Sequence, residues 1–128
     1  MKKWSWLIIC FLVLMPVLSL AGPKEIIAIA AEGKEPTAQV SKVAARAPAF
    51  LLFDGSGKFL EALHNPLKSA ARSAGPLVVD FLASKGVTTL VAGGFGAKMV
   101  RAMQGKGIRF LEFEGSAKDA VQKVLSPR

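Results

Sequence analysis

Apolar residues fall into short blocks along the chain, and the spacing within the blocks alternates between two periods. Ile26-Ile27-Ala28-Ile29-Ala30-Ala31 is a continuous apolar run too short for a helix, which predicts a strand buried on both faces. Glu32 to Pro48 carries Gly33, Pro36 and Pro48 and reads mostly as loop. Ala49-Phe50-Leu51-Leu52-Phe53 predicts a second strand, and the turn Asp54-Gly55-Ser56-Gly57 leads from it into Lys58 to Leu63, so the pair is expected as a β-hairpin. His64 to Gly75 is again loop, punctuated by Pro66 and Gly75. From Pro76 the spacing becomes helical, with Leu77, Val78, Phe81 and Leu82 on one face and Gly86 at the end. Val87 to Ala92 predicts a buried strand, and Gly93-Gly94-Phe95-Gly96 a turn into a helix from Ala97 to about Gln104, with Met99, Val100 and Met103 on its apolar side. Ile108 to Phe113 predicts the last strand. Ser116 suits the N-cap of a closing helix through Leu125, with Ala117, Ala120, Val121 and Val124 inward.

The order β-β-β-α-β-α-β-α predicts an α/β layer with a mostly parallel sheet and a hairpin on one side. Its expected core contains Ile27, Ile29, Leu51, Phe53, Phe81, Leu90, Val91 and Ile108. Open α/β sheets bind ligands at the edge where parallel strands end. Here that edge would gather Glu32 to Pro48, His64 to Gly75 and Gly93 to Gly96.

The first residues follow a different pattern. Lys2 and Lys3 precede an apolar stretch from Trp4 to Val17, and Ser19-Leu20-Ala21 supplies small residues for a signal peptidase. Residues 1–21 are therefore expected to be a signal peptide cleaved after Ala21, and residues 22–128 a single secreted or periplasmic domain. The apolar stretch is shorter than the roughly 20 residues of a spanning helix, so no stable membrane insertion is expected after cleavage. The sole cysteine, Cys10, lies in this stretch, which leaves the domain without thiolate metal sites, redox CxxC chemistry or a cysteine nucleophile.

The formal net charge is +8, or +6 without Lys2 and Lys3, which suits an anionic partner. Nucleic acid fits poorly, because the charge is spread and no aromatic residues interleave with it. Lys42, Arg46, Lys68 and Arg72 would form a basic rim on the loop edge, or else belong to a generally basic surface. His64, the only histidine, could bind a transition metal through one ring nitrogen or simply bond a neighbouring carbonyl. Gly93, Gly94 and Gly96 let backbone N–H groups converge at a helix start, where an anion could sit; a tight turn alone would also require them. Met99 and Met103 could bind copper(I), but they continue an apolar stripe and read as core. Asp54, Glu61 and Asp80 are isolated, Glu32 with Glu35 and Glu112 with Glu114 read as surface pairs, and no serine has an evident histidine and acid in support. An enzyme is not expected.

Several short motifs occur together in order: Ile27-Ala28-Ile29-Ala30, Val40-Ser41, Arg46-Ala47-Pro48-Ala49-Phe50, Asn65-Pro66, Lys85-Gly86-Val87, Ala92-Gly93-Gly94-Phe95-Gly96, Gly107-Ile108 and Gly115-Ser116. With them the chain resembles the dinitrogenase iron–molybdenum cofactor biosynthesis family, the NifX-like domain, over nearly all of residues 22–128. The resemblance implies a ribonuclease-H-like three-layer α/β fold with a five-stranded mixed, mostly parallel sheet. It further implies a non-catalytic carrier of an iron–sulfur or iron–molybdenum cofactor precursor, bound transiently, within a redox or cofactor-assembly system. On this reading Arg46, His64, Asn65, Gly93, Gly94, Phe95 and Gly96 are the expected cofactor-binding residues, with His64 as the metal ligand. Another small anion is a possible ligand of the same edge. The alternative is an exported interaction subunit that docks on a membrane or periplasmic redox complex without a ligand of its own.

Overall fold

The computed structural model describes residues 25–70 and 72–126; the signal-peptide expectation for residues 1–21 lies outside them. The elements are β1 (Ile26–Ala31), a 3-10 turn (Ala44–Arg46), β2 (Ala49–Asp54), β3 (Phe59–His64), α1 (Ala74–Ser84), β4 (Thr89–Ala92), α2 (Ala97–Lys106), β5 (Arg109–Glu112) and α3 (Ala117–Leu125). The strands form one sheet in the order β3-β2-β1-β4-β5. β1 pairs antiparallel with β2 and parallel with β4, β2 pairs antiparallel with β3, and β4 pairs parallel with β5. Four strands thus point one way and only β2 is reversed, which is the mixed, mostly parallel ribonuclease-H-like sheet that the resemblance implied.

β1 lies at the centre, and its composition reflects the two layers that cover it. Ala28 and Ala30 face α1 and α2 with Phe50, Leu52, Leu90, Met99 and Met103, whereas Ile27 and Ile29 face α3 with Leu51, Phe53, Val91 and Val121. Alanines let two helices approach closely, and isoleucines supply bulk where one helix must fill the face. Both faces are buried, so the run shows no polar alternation.

The helix from Pro76 is the element that departs most from expectation. α1 begins two residues earlier, at Ala74, and buries Ala74, Val78, Val79 and Leu82. Leu77 is 42% exposed and Phe81 only partly buried, so the expected stripe through both is corrected. The cause is packing on α2: a Cβ at Gly75 would stand 2.9 Å from Met99 Cβ, so the glycine allows a close helix approach that sets the rotation of α1. The other expected core residues are buried. β3 also runs one residue further than expected and includes His64.

α3 starts as expected. Ser116 Oγ accepts from the Asp119 N–H, Ala117 N–H donates to Ala38 O, and Lys118 N–H donates to Pro36 O. At the other end of the sheet, Asp54 Oδ1 accepts from Ser56 Oγ and from the N–H groups of Ser56 and Lys58. The Ser56 hydroxyl above all, and then the Lys58 N–H, hold the Asp54 carboxyl below its ordinary range.

Candidate functional site: a cleft between two helix starts

The three loop regions expected to share one edge do meet there. Gly93 N–H donates to Ser41 O at 2.7 Å and Ala44 N–H to Gly94 O at 3.1 Å, which ties the β4–α2 turn to the loop after β1. A Cβ on Gly93 would stand 2.8 Å from Lys42 Cα, so only glycine permits this approach. The loop after β3 is tied to the same segment by Asn65, which is buried. Its Nδ2 donates to Ala45 O at 3.0 Å and Ala47 O at 2.8 Å, while its Oδ1 accepts from the Leu67 N–H at 2.9 Å. Arg46 adds an outer clasp, its Nη1 donating to Lys68 O and Ala70 O.

Between these ties lies a cleft of about 320 Å³, walled by Val43, Ala45 and Arg46, by Ser73 to Pro76 at the start of α1, and by Gly96 to Met99 at the start of α2. Neither helix has a side-chain N-cap or an acid in its first turn. Ser73, the N-cap residue of α1, is the single described non-glycine residue with positive φ, at 58°. Uncapped N–H groups and the positive ends of two helix dipoles therefore open on one cleft. Arg46 and Lys98 stand in its wall, and Arg72 directly precedes Ser73. No acid lines it; Glu32 lines a neighbouring depression of about 380 Å³ that shares Val43 and Arg46 with the cleft.

The expected site residues divide into three groups. Arg46 and Gly96 line the cleft. Asn65, Gly93 and Gly94 build its walls, and the Asn65 amide and the Gly93 N–H are already engaged with the chain's own groups. His64 and Phe95 do not line it: His64 is exposed at the end of the edge strand β3, and Phe95 packs edge-on against Phe110 at 5.4 Å. Sequence reasoning missed Ser73 to Gly75 and Ala97 to Met99. In sequence Ser73 ahead of Pro76 reads as an ordinary capped start; its left-handed backbone at φ 58° leaves the hydroxyl without a cap hydrogen bond.

The profile of the family described as "Dinitrogenase iron-molybdenum cofactor" matches residues 25–126. The chain belongs to this family. It is similar to the apo form of the orange protein from Desulfovibrio gigas at 28% identity and TM-score 0.75, over 82% of this chain and 90% of that one. It is also similar to a putative NifB protein from Thermotoga at 30% identity and TM-score 0.66, over 78% and 85% of the two chains. A putative dinitrogenase from Methanocaldococcus jannaschii shares the fold at 10% identity and TM-score 0.56, over 80% and 88%. No curated protein matches the chain.

The donors at the cleft are N–H groups, a guanidinium and an ammonium. Among the described residues no three His, Cys, Asp or Glu side chains come together as a metal site. This donor set fits an anion that brings its own ligands and is held by charge and hydrogen bonds, rather than a bare metal ion that needs protein ligands.

Proposed function

We propose that this protein is an exported, non-catalytic carrier that binds an anionic metal cluster, of the iron–sulfur or iron–molybdenum cofactor precursor type, in the cleft between the starts of α1 and α2. The observation that carries this reading is the convergence of two uncapped helix starts, without a first-turn acid, on a cleft walled by Arg46 and Lys98. Family membership supports a metallocluster as cargo, and so does the similarity to the orange protein. The strained Ser73 backbone at the cleft is consistent with a preformed site, since such conformations persist where the surroundings hold them. Arg46 gives Nη1 to the carbonyls of Lys68 and Ala70, which leaves Nε and Nη2 to meet the anion.

Without a thiolate in the cleft, release needs no coordinate bond to the protein to break. Binding by charge and hydrogen bonds favours a transient load passed to a partner in a redox or cofactor-assembly system. His64 lies outside the cleft walls, so its substitution is expected to leave the load unchanged.

The direct trial incubates the purified protein with ferrous iron, sulfide and molybdate, then measures metal content and visible absorbance after desalting. Metal retained by the parent, at least tenfold less in Lys98→Glu, and no change in His64→Ala are expected. Retention should also fall with added salt. No retained metal in the parent would overturn the carrier reading in favour of a docking subunit without a ligand, and loss in His64→Ala alone would move the site to the end of β3.

A further inference from the structure

Charge is unevenly distributed over the folded chain. Ser41 to Pro48, His64 to Pro76 and Gly93 to Met99, the segments that meet at the end of the sheet, carry five cations, Lys42, Arg46, Lys68, Arg72 and Lys98, and no acid. The rest of the described residues carry eight cations and all nine acids of the chain. Spread along the sequence, the five are gathered by folding, and each is exposed. Lys42 is held against Gly93, the Lys68 carbonyl is clasped by Arg46, Arg72 directly precedes Ser73, and Arg46 and Lys98 stand in the cleft wall. The positive excess therefore has one location, whereas solubility alone is served by cations interspersed with acids.

An apolar knob stands among these cations. Val43 is 53% exposed, more than any other large hydrophobic side chain among the described residues. It separates the cleft from the depression of about 380 Å³ and lines both, together with Arg46. A knob between two hollows suits a partner of fixed shape, which can offer a socket to Val43 and acidic side chains to either hollow. Protein interfaces combine an apolar centre with a polar rim in this way, and opposite charge speeds the encounter and fixes its orientation. A lipid surface fits less well: no tryptophan or tyrosine lines either hollow to anchor in the headgroup layer, and Glu32, in the wall of the depression, would meet anionic headgroups. Neither hollow has an aromatic side chain on which a base could stack. We infer that this face docks the acidic surface of a partner protein, with Val43 at the centre of the contact and the five cations around it. The face is defined by the chain alone, so the inference does not depend on the carrier reading. A partner seated there covers the mouth of the cleft, and cargo held in it would cross without passing through solvent.

The test puts a photo-reactive benzophenone amino acid in place of Val43 in the full chain, irradiates the native cells, and identifies the adducts by mass spectrometry. The expected adduct is a peptide from a protein segment of net negative charge. Its yield should fall at least tenfold when Lys42→Glu, Lys68→Glu and Arg72→Glu are combined, a set that leaves the charged groups of the cleft wall in place. Lys58→Glu, Lys85→Glu and Lys123→Glu together remove the same charge from exposed positions outside this face, and should lower the yield less than twofold. Both triple variants should keep the parent's circular dichroism, since all six side chains are exposed. In cell extract, salt raised to about 0.5 M should lower the yield of the unaltered face as well, a measurement that needs no charge variant. Lipid or nucleic-acid adducts, peptides from neutral or basic segments, equal losses in the two triple variants, or no adduct at all would overturn the inference. None of these measurements requires metal, so their failure and the failure of metal retention are told apart.

Discussion

At the start of α3 the chain satisfies its own helix: Ala38 O, Pro36 O and Ser116 Oγ accept from Ala117, Lys118 and Asp119. At the starts of α1 and α2, side chains offer no cap, and the residues in the N-cap positions are a strained Ser73 and a Gly96. The same fold therefore closes one helix start and leaves two open. A side-chain N-cap contributes about 0.5–2 kcal/mol relative to alanine; α1 forgoes it because the left-handed Ser73 backbone leaves its hydroxyl out of the cap, and α2 because Gly96 has no side chain. Such omissions are expected where a ligand, rather than the chain, completes the donors.

The severest way to break this contrast is to remove what holds the open side together. Asn65→Ala deletes three hydrogen bonds in a buried position, for an expected loss of about 2–4 kcal/mol at net values of 0.5–1.5 each. Urea titration would measure it, and a change below about 1 kcal/mol would show the loops hold without this clamp. Gly93→Ala forces a methyl onto Lys42 Cα and should cost about 1–3 kcal/mol together with cluster retention. Ser116→Ala removes the cap of the closed start and should cost about 1 kcal/mol, with retention unchanged.

The smallest change sharpens the contrast most. Gly96 has an extended backbone at φ −72°, and a Cβ there would meet nothing within 4 Å. Gly96→Asp should therefore supply the missing cap and a charge at the helix start, stabilising the protein by about 0.5–1 kcal/mol while it abolishes cluster binding. A rise in melting temperature with binding intact would mean that the start of α2 takes no part in the site.

Much of the fold was legible because local and long-range signals agree. Ile26 to Ala31 could hardly be anything but an interior strand, and Ser116 announces a capped helix in four residues. The convergence of the loops followed from strand direction alone. What stayed hidden depends on contacts between distant segments. Nothing near Val79 in sequence shows that Gly75 yields to Met99 and rotates α1 so that Val79 is buried and Leu77 exposed. Likewise Gly93 and Gly96 look equivalent along the chain; only the approach of Lys42 makes the first a wall and leaves the second facing the cleft. Asn65 reads like any loop asparagine until Ala45 and Ala47 arrive beside it. His64, expected at the site as the only histidine, completes β3, and Phe95, expected there as part of the glycine turn, turns toward β5.

The central place of β1 also governs the order of assembly. β2 pairs antiparallel with β3 across a tight turn and with β1 across the longer loop of residues 32–48, and both pairings are nearer along the chain than that of β4. The other neighbour of β1 is far along the chain: Ile26 and Thr88 exchange backbone and hydroxyl hydrogen bonds across 62 residues. Closing that distance carries a loop entropy that no local contact offsets beforehand. Pulsed hydrogen exchange should accordingly protect Leu51 before Val91; simultaneous protection would contradict this order. Until β4 arrives, one long side of β1 has main-chain groups without partners, and its two apolar faces lack their helices. A chain emerging residue by residue thus keeps its future centre as its most vulnerable border from the completion of β1 until β4 has been made.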